Sequence, residues 1–118
     1  MAAALENIQV HRGADALRIW TWMSGDPPQP VDLSGCSARM QIRKRVQDDA
    51  ALALLSSDNG LITLGGATGT IQAAFTHALT AALPVGALVY DLAITHPDGQ
   101  ITLLIGGELM NKLTVTRE

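Results

Sequence analysis

Apolar and polar positions alternate with a period of two through most of the chain. From Cys36 to Arg43 the side chains of Cys36, Ala38, Met40 and Ile42 fall on one side, and those of Ser37, Arg39, Gln41 and Arg43 on the other. That is the pattern of a strand buried on one face. Thr70 to Phe75 repeats it, with Ile71, Ala73 and Phe75 against Thr70, Gln72 and Ala74, and so does Leu88 to Thr95, with Leu88, Tyr90, Leu92 and Ile94 aligned. Arg18 to Met23 reads as a strand covered on both sides, because Trp20 and Trp22 oppose Ile19, Thr21 and Met23.

The breaks between these runs carry turn chemistry. Three prolines in Gly25-Asp26-Pro27-Pro28-Gln29-Pro30 remove backbone donors and make that stretch a loop. Asp58-Asn59-Gly60 and Gly65-Gly66-Ala67-Thr68-Gly69 bracket a short strand over Leu61 to Leu64, and His96-Pro97-Asp98-Gly99 reverses the chain into Gln100 to Ile105. Gly106-Gly107 marks a bulge or a close backbone approach before pairing resumes through Glu108 to Val115. Thr76 is an N-cap for one helical turn or two ahead of Pro84. Seven or eight short strands with one helical piece predict an all-β domain, an antiparallel sandwich or a small barrel. It spans residues 8–118, preceded by an arm over 1–7 that suits either a frayed end or a tail ordering on a neighbouring subunit.

Composition narrows the class. The 118 residues are 47% hydrophobic and 16% charged, which excludes a disordered chain, and no apolar run reaches the length of a membrane-spanning helix. A net charge of -3 argues against a general binder of nucleic acid or anionic lipid. The single Cys36 excludes an internal disulfide, and the N-terminus lacks the basic and apolar regions of a signal peptide, so cytoplasmic synthesis is expected.

No catalytic set, metal site or cofactor site emerges. His11, His77 and His96 are far apart in sequence, Cys36 sits on an apolar strand face, and Asp48-Asp49 read as a solvated turn. The run Arg39, Arg43, Lys44 and Arg45 has three readings: a wet strand face that blunts edge pairing, a protein contact, or a phosphate contact weakened by Asp48 and Asp49. Trp20 and Trp22, two of only four aromatic residues, are either the heart of a sheet face or an anchor for a partner.

Pro30-Val31-Asp32-Leu33-Ser34-Gly35 followed by the alternating strand to Arg43 resembles a stretch of small bacteriophage and prophage virion proteins. Asn59-Gly60-Leu61-Ile62-Thr63-Leu64, Gly69-Thr70-Ile71, Gly86 to Leu92, Pro97-Asp98-Gly99 and Gly106-Gly107 through Arg117 follow in the order those proteins have. Together they cover most of residues 8–117, and their order carries the resemblance. The family is similar to the immunoglobulin-like N-terminal domain of tailed-phage upper baseplate proteins. The resemblance implies an Ig-like β-sandwich in a virion, at the tail tip or baseplate, joining other virion proteins or fibres. It implies assembly with further copies of itself in a symmetric particle, and no catalytic residues, cofactor, nucleic acid or membrane. The chain ends near the last strand, without the stalk or fibre segment of an upper baseplate protein. A head decoration or minor capsid protein is the alternative, and a carbohydrate-binding sandwich the alternative of another class. The expected contact residues are Leu5 on the arm, Pro27, Pro28 and Pro30 on the loop, and Arg39, Arg43, Lys44 and Arg45.

Overall fold

A computed structural model of the chain describes residues 4–115. The strands run in the order β1 (Ala4–Leu5), β2 (Ile8–His11), β3 (Ala16–Thr21), β4 (Met23–Ser24), β5 (Gln29–Pro30), β6 (Ser37–Arg43), β7 (Ala53–Ser56), β8 (Ile62–Leu64), β9 (Thr70–Phe75), β10 (Gly86–Thr95) and β11 (Ile101–Lys112). A helix, α1 (His77–Ala82), lies between β9 and β10, and a short 3-10 turn at Gly66–Thr68 precedes β9.

Two sheets hold the core between them. The larger has the order β1-β11-β10-β6-β7 with β2 also on β11, and the smaller is β3-β9-β8; β4 and β5 form a separate two-stranded hairpin. With β3, β9 and β8 on one side and β7, β6, β10 and β11 on the other, the strands fall in the immunoglobulin-like order. The sandwich is thus all-β, and its inward positions are the predicted ones. Ala38, Met40, Ile42, Ile71, Ala73, Phe75, Leu88, Tyr90, Leu92 and Ile94 are all buried. Apart from one parallel edge, every pairing in both sheets is antiparallel.

That edge is where the structure departs from the expectation for the N-terminus. Residues 4–7 are neither a frayed end nor an arm on a neighbour; β1 and β2 both run parallel to β11, with Leu5 opposite Gly106 and Ile8 opposite Leu109. The register is the same before and after the interruption at Glu6-Asn7, so the two pieces are one edge strand. Glu6 N–H donates to Gly106 O at 3.0 Å, and Asn7 Oδ1 accepts from Glu108 N at 3.1 Å, a side chain replacing the backbone acceptor. Met1 to Ala3 of the expected arm lie outside the described residues.

Other differences have local causes. The bulge falls between the Leu92–Ile105 and Ala93–Leu103 pairs, leaving Leu104 unopposed, while Gly106-Gly107 stay in register. Of the two glycines, Gly107 marks the close backbone approach: a Cβ on it would stand 2.3 Å from Glu6 O, whereas one on Gly106 would be 3.5 Å from its nearest neighbour, Tyr90 O. The pattern also missed β7, because Ala50 to Leu55 shows no alternation. The β3 ladder ends at Thr21, one residue before Trp22, whose N–H turns to Gly69 O.

Candidate interaction surfaces

The sandwich is closed at one end by α1 and open along one edge, and polar side chains bridge both places. Thr76 caps the helix through Leu79 N–H at 3.2 Å, as its sequence position predicts. The C-terminal end is satisfied from far away. Asn111 on β11 is fully buried, and its Nδ2 lies 3.1 Å from Thr80 O, 3.2 Å from Leu83 O and 3.3 Å from Pro84 O. Thr80, also buried, accepts from Gly13 N–H and donates to Ala14 O, each at 3.0 Å, which ties the β2–β3 loop to the helix. Asp15 Oδ1 accepts from His77 N–H at 2.6 Å, and that bond first, with the neighbouring ring nitrogen, holds the Asp15 carboxyl below the ordinary carboxylate range.

Along the open edge, Glu6 joins the sheets. Its side chain lies between them, where Oε1 accepts from Arg18 Nη2 at 2.6 Å and Oε2 accepts from the Trp20 indole N–H. Its backbone oxygen accepts from Tyr90 OH at 2.7 Å. Arg18 is therefore an inward-facing cation on an edge strand, tolerated because a carboxylate from the opposite sheet meets it and both remain about a third or more exposed. Trp20 and Trp22 are half-buried against the core, Trp22 with its ring 6.0 Å from that of His96.

Tyr90 is 5% exposed and its hydroxyl reaches the bridge, so burial, reinforced by the Glu6 charge, pushes its ionisation up to about 12. Because the folded value lies above the ordinary ~10, stability contributed by the neutral phenol is intact below pH ~10 and is lost as the pH rises through about 12. Tyr90 is the only tyrosine, so alkaline titration of tyrosinate absorbance reads it alone; the expected midpoint is about 12 in the folded protein. Tyr90→Phe, which keeps the ring and removes the bond to Glu6, should cost about 1 kcal/mol in denaturant unfolding.

The expected contact residues do not converge on one patch. Pro27, Pro28 and Pro30 are exposed at the end opposite α1, Pro27 and Pro28 in the turn of the β4–β5 hairpin and Pro30 on β5 itself, opposite Met23, so the expected loop carries a short ladder at its base. There the β3–β6, β8–β9 and β10–β11 connections meet: Leu33 N–H donates to Gly66 O at 2.9 Å, and a Cβ on Gly35 would stand 3.1 Å from the Pro97 ring. Cys36 is half-buried at this end, its sulfur 3.8 Å from His96 Nδ1, and burial first, then the Asp32 and Asp98 charges, raise the thiol. Lys44 and Arg45 lie on the β6–β7 connection. Arg43 donates to Asp48 O at 2.8 Å and Gln41 Oε1 at 2.7 Å, and Arg45 faces Asp48 at 3.4 Å, so these two arginines shape that loop.

Three of the eight residues share a surface, the outer face of the larger sheet. Register places Arg39, Gln41 and Arg43 of β6 there with Val89, Asp91 and Ala93 of β10, then Glu108, Gly106 and Leu103 of β11, and Leu5 at the edge. Leu5 is 83% exposed. Arg39 is exposed, and its side chain makes no hydrogen bond or ion pair with the described residues. A cleft of about 200 Å³ lies on this face, lined by Gln41, Arg43, Val46, Val89, Tyr90 and Asp91. The sequence pointed to Arg39 and Arg43 but not to Asp91 and Glu108 on the same face, which come from positions 48 to 69 residues away. Among the described residues no three His, Cys, Asp or Glu side chains cluster to hold a metal ion, and no helix is long and apolar enough to cross a membrane. No known family model matches the sequence, and no curated protein matches it either.

Proposed function

We propose that the protein is a structural component of a bacteriophage or prophage virion, an adaptor of the tail tip or baseplate that works by contact and not by catalysis. The observation that carries this reading is the ordered set of motifs between Pro30 and the final strand, read together with an Ig-like strand order. The distribution of exposed surfaces supports it. The proline loop, the β6–β7 connection and the outer sheet face point in different directions, which suits a small module gripping more than one neighbour. In a symmetric particle many copies turn a modest interface into a firm one. The polar groups that the fold brings together inside, around Glu6 and Asn111, are engaged in holding elements to each other, which fits a scaffold better than an enzyme.

Mass spectrometry of purified particles, with heads and tails separated, tests the reading. The expected result is the protein in the tail fraction at a copy number that follows the tail symmetry. Recovery with heads alone would make it a decoration or minor capsid protein, and absence from particles would overturn the virion assignment.

A further inference from the structure

The smaller sheet ends at β3, and the alternation of backbone groups shows what that edge leaves unpaired. Ala74 N–H donates to Leu61 O and Gly65 N–H to Thr70 O, each at 2.8 Å, so the even residues of β9 face β8 and its odd residues face β3. Register then turns the backbone of Ala16, Arg18 and Trp20 towards Phe75, Ala73 and Ile71, and Trp22 N–H continues the series to Gly69 O. The N–H and C=O groups of Leu17, Ile19 and Thr21 therefore point out of the sheet, where no described residue meets them.

The other edges are occupied or short. On β7, Ser56 N–H donates to Asn59 Oδ1 at 3.0 Å and Leu54 O accepts from Asn59 Nδ2 at 2.9 Å, so one side chain sits along that edge. The β8 strand is three residues long, and the N-terminal edge is interrupted at Glu6-Asn7. In contrast, β3 runs six residues without a break, and its outer side chains Leu17 and Ile19 are 54% and 58% exposed. Its inward charge, Arg18, is of the kind that blunts an edge, but Glu6 meets it. We propose that this edge takes an extended segment of a neighbouring protein as a fourth strand of the smaller sheet, antiparallel to β3 and apolar at the residues beside Leu17 and Ile19. The inference deepens the adaptor reading and rests on it for the presence of a neighbour.

The free groups fix the occupant's backbone as extended, and size selects a segment over a second copy. Six residues at ~3.4 Å each, along a layer ~10 Å deep, give roughly 200 Å² on each side of the contact. Two copies joined edge to edge would bury roughly 400 Å², well short of the ~1,200 Å² of a stable pair. A segment tethered to a neighbour in the same assembly needs less, because the tether sets its effective concentration.

Hydrogen exchange of the purified chain is expected to find the amides of Leu17, Ile19 and Thr21 open and those of Arg18 and Trp20 protected; protection of all five overturns the free edge. A probe strand of alternating valine and threonine, joined to the C-terminus of the whole chain through a flexible linker of about 15 residues, can reach along β3. The fusion should slow exchange at the three open amides at least about tenfold and raise the melting temperature. Ile19→Pro removes an outward donor and no ladder bond, so it should abolish both effects. Ile19→Lys keeps the backbone and should weaken them. Unfused variants that melt with the wild type verify folding. A fusion whose three amides exchange as in the unfused chain overturns the proposal, as does protection that survives Ile19→Pro. In phage particles, a folded Ile19→Pro chain incorporated at the wild-type level overturns the docking role. Absence of the wild-type chain from particles overturns the adaptor reading instead, and the exchange results stand apart from it.

Discussion

Asn111→Asp is expected to be the most damaging single-atom-scale change in the molecule, lowering stability at neutral pH by more than about 4 kcal/mol. The amide nitrogen of Asn111 faces three carbonyl oxygens at 3.1–3.3 Å in a site with no exposure. A carboxylate there would replace the donor with a buried charge pointed at acceptors, and the end of α1 would lose its cap. The same contacts fix which end of the amide is nitrogen, and they leave Asn111 Oδ1 without a hydrogen-bond partner among the described residues. The pH dependence has a definite sign. The buried acid would have a folded pKa above its unfolded value, so the deficit grows as pH rises above ~4 and shrinks below it. Urea unfolding of both proteins at acid and neutral pH measures this. A deficit under about 1 kcal/mol at neutral pH would mean that Asn111 does not hold the helix.

The second large effect is expected at Gly107, and its contrast with Gly106 makes it specific. A Cβ on Gly107 would meet Glu6 O at 2.3 Å and Glu6 C at 2.9 Å, both backbone atoms of the edge strand. Gly107→Ala must push β1 and β2 away from β11, and with them goes the Glu6 bridge to Arg18, Trp20 and Tyr90. A loss of about 2–4 kcal/mol is expected, drawn from overpacking and the broken hydrogen bonds. Gly106→Ala places its Cβ no nearer than 3.5 Å to any atom, an ordinary contact, so stability should be unchanged or slightly raised by the smaller chain entropy. Paired thermal melts with hydrogen exchange of the N-terminal amides test this. Equal melting temperatures for the two alanine variants would show that the edge strand is not held against Gly107.

The contrast at Gly106-Gly107 also marks how far the sequence could be read. Glycine within a strand pattern announced a special position, yet choosing between bulge and close approach required knowing that residue 6 lies against residue 107. The Arg39 to Arg45 run divides in the same way. Alternation put Arg39 and Arg43 on the wet side, and that is where they are. Only the fold revealed that Arg43 and Arg45 hold Asp48 while the Arg39 side chain stays free, diagonal to Asp91 on the neighbouring strand β10. Trp20 and Trp22 left two readings open, and both pack at the rim of the core, with the Trp20 indole spent on Glu6.

The amino-acid order by itself determined the elements whose signal is local: the alternating strands β6, β9 and β10, the turn at His96-Pro97-Asp98-Gly99, the Thr76 cap, and hence an all-β chain with its aliphatic face. Tertiary structure decided which strands become edges, that the first residues lie parallel to the last strand, and that Glu6 and Asn111 serve elements 12 to 100 residues from them. The physical reason is that burial periodicity and turn chemistry are written in near neighbours. A buried hydrogen bond or a steric gap takes its meaning only from the distant backbone that the closing sandwich brings against it.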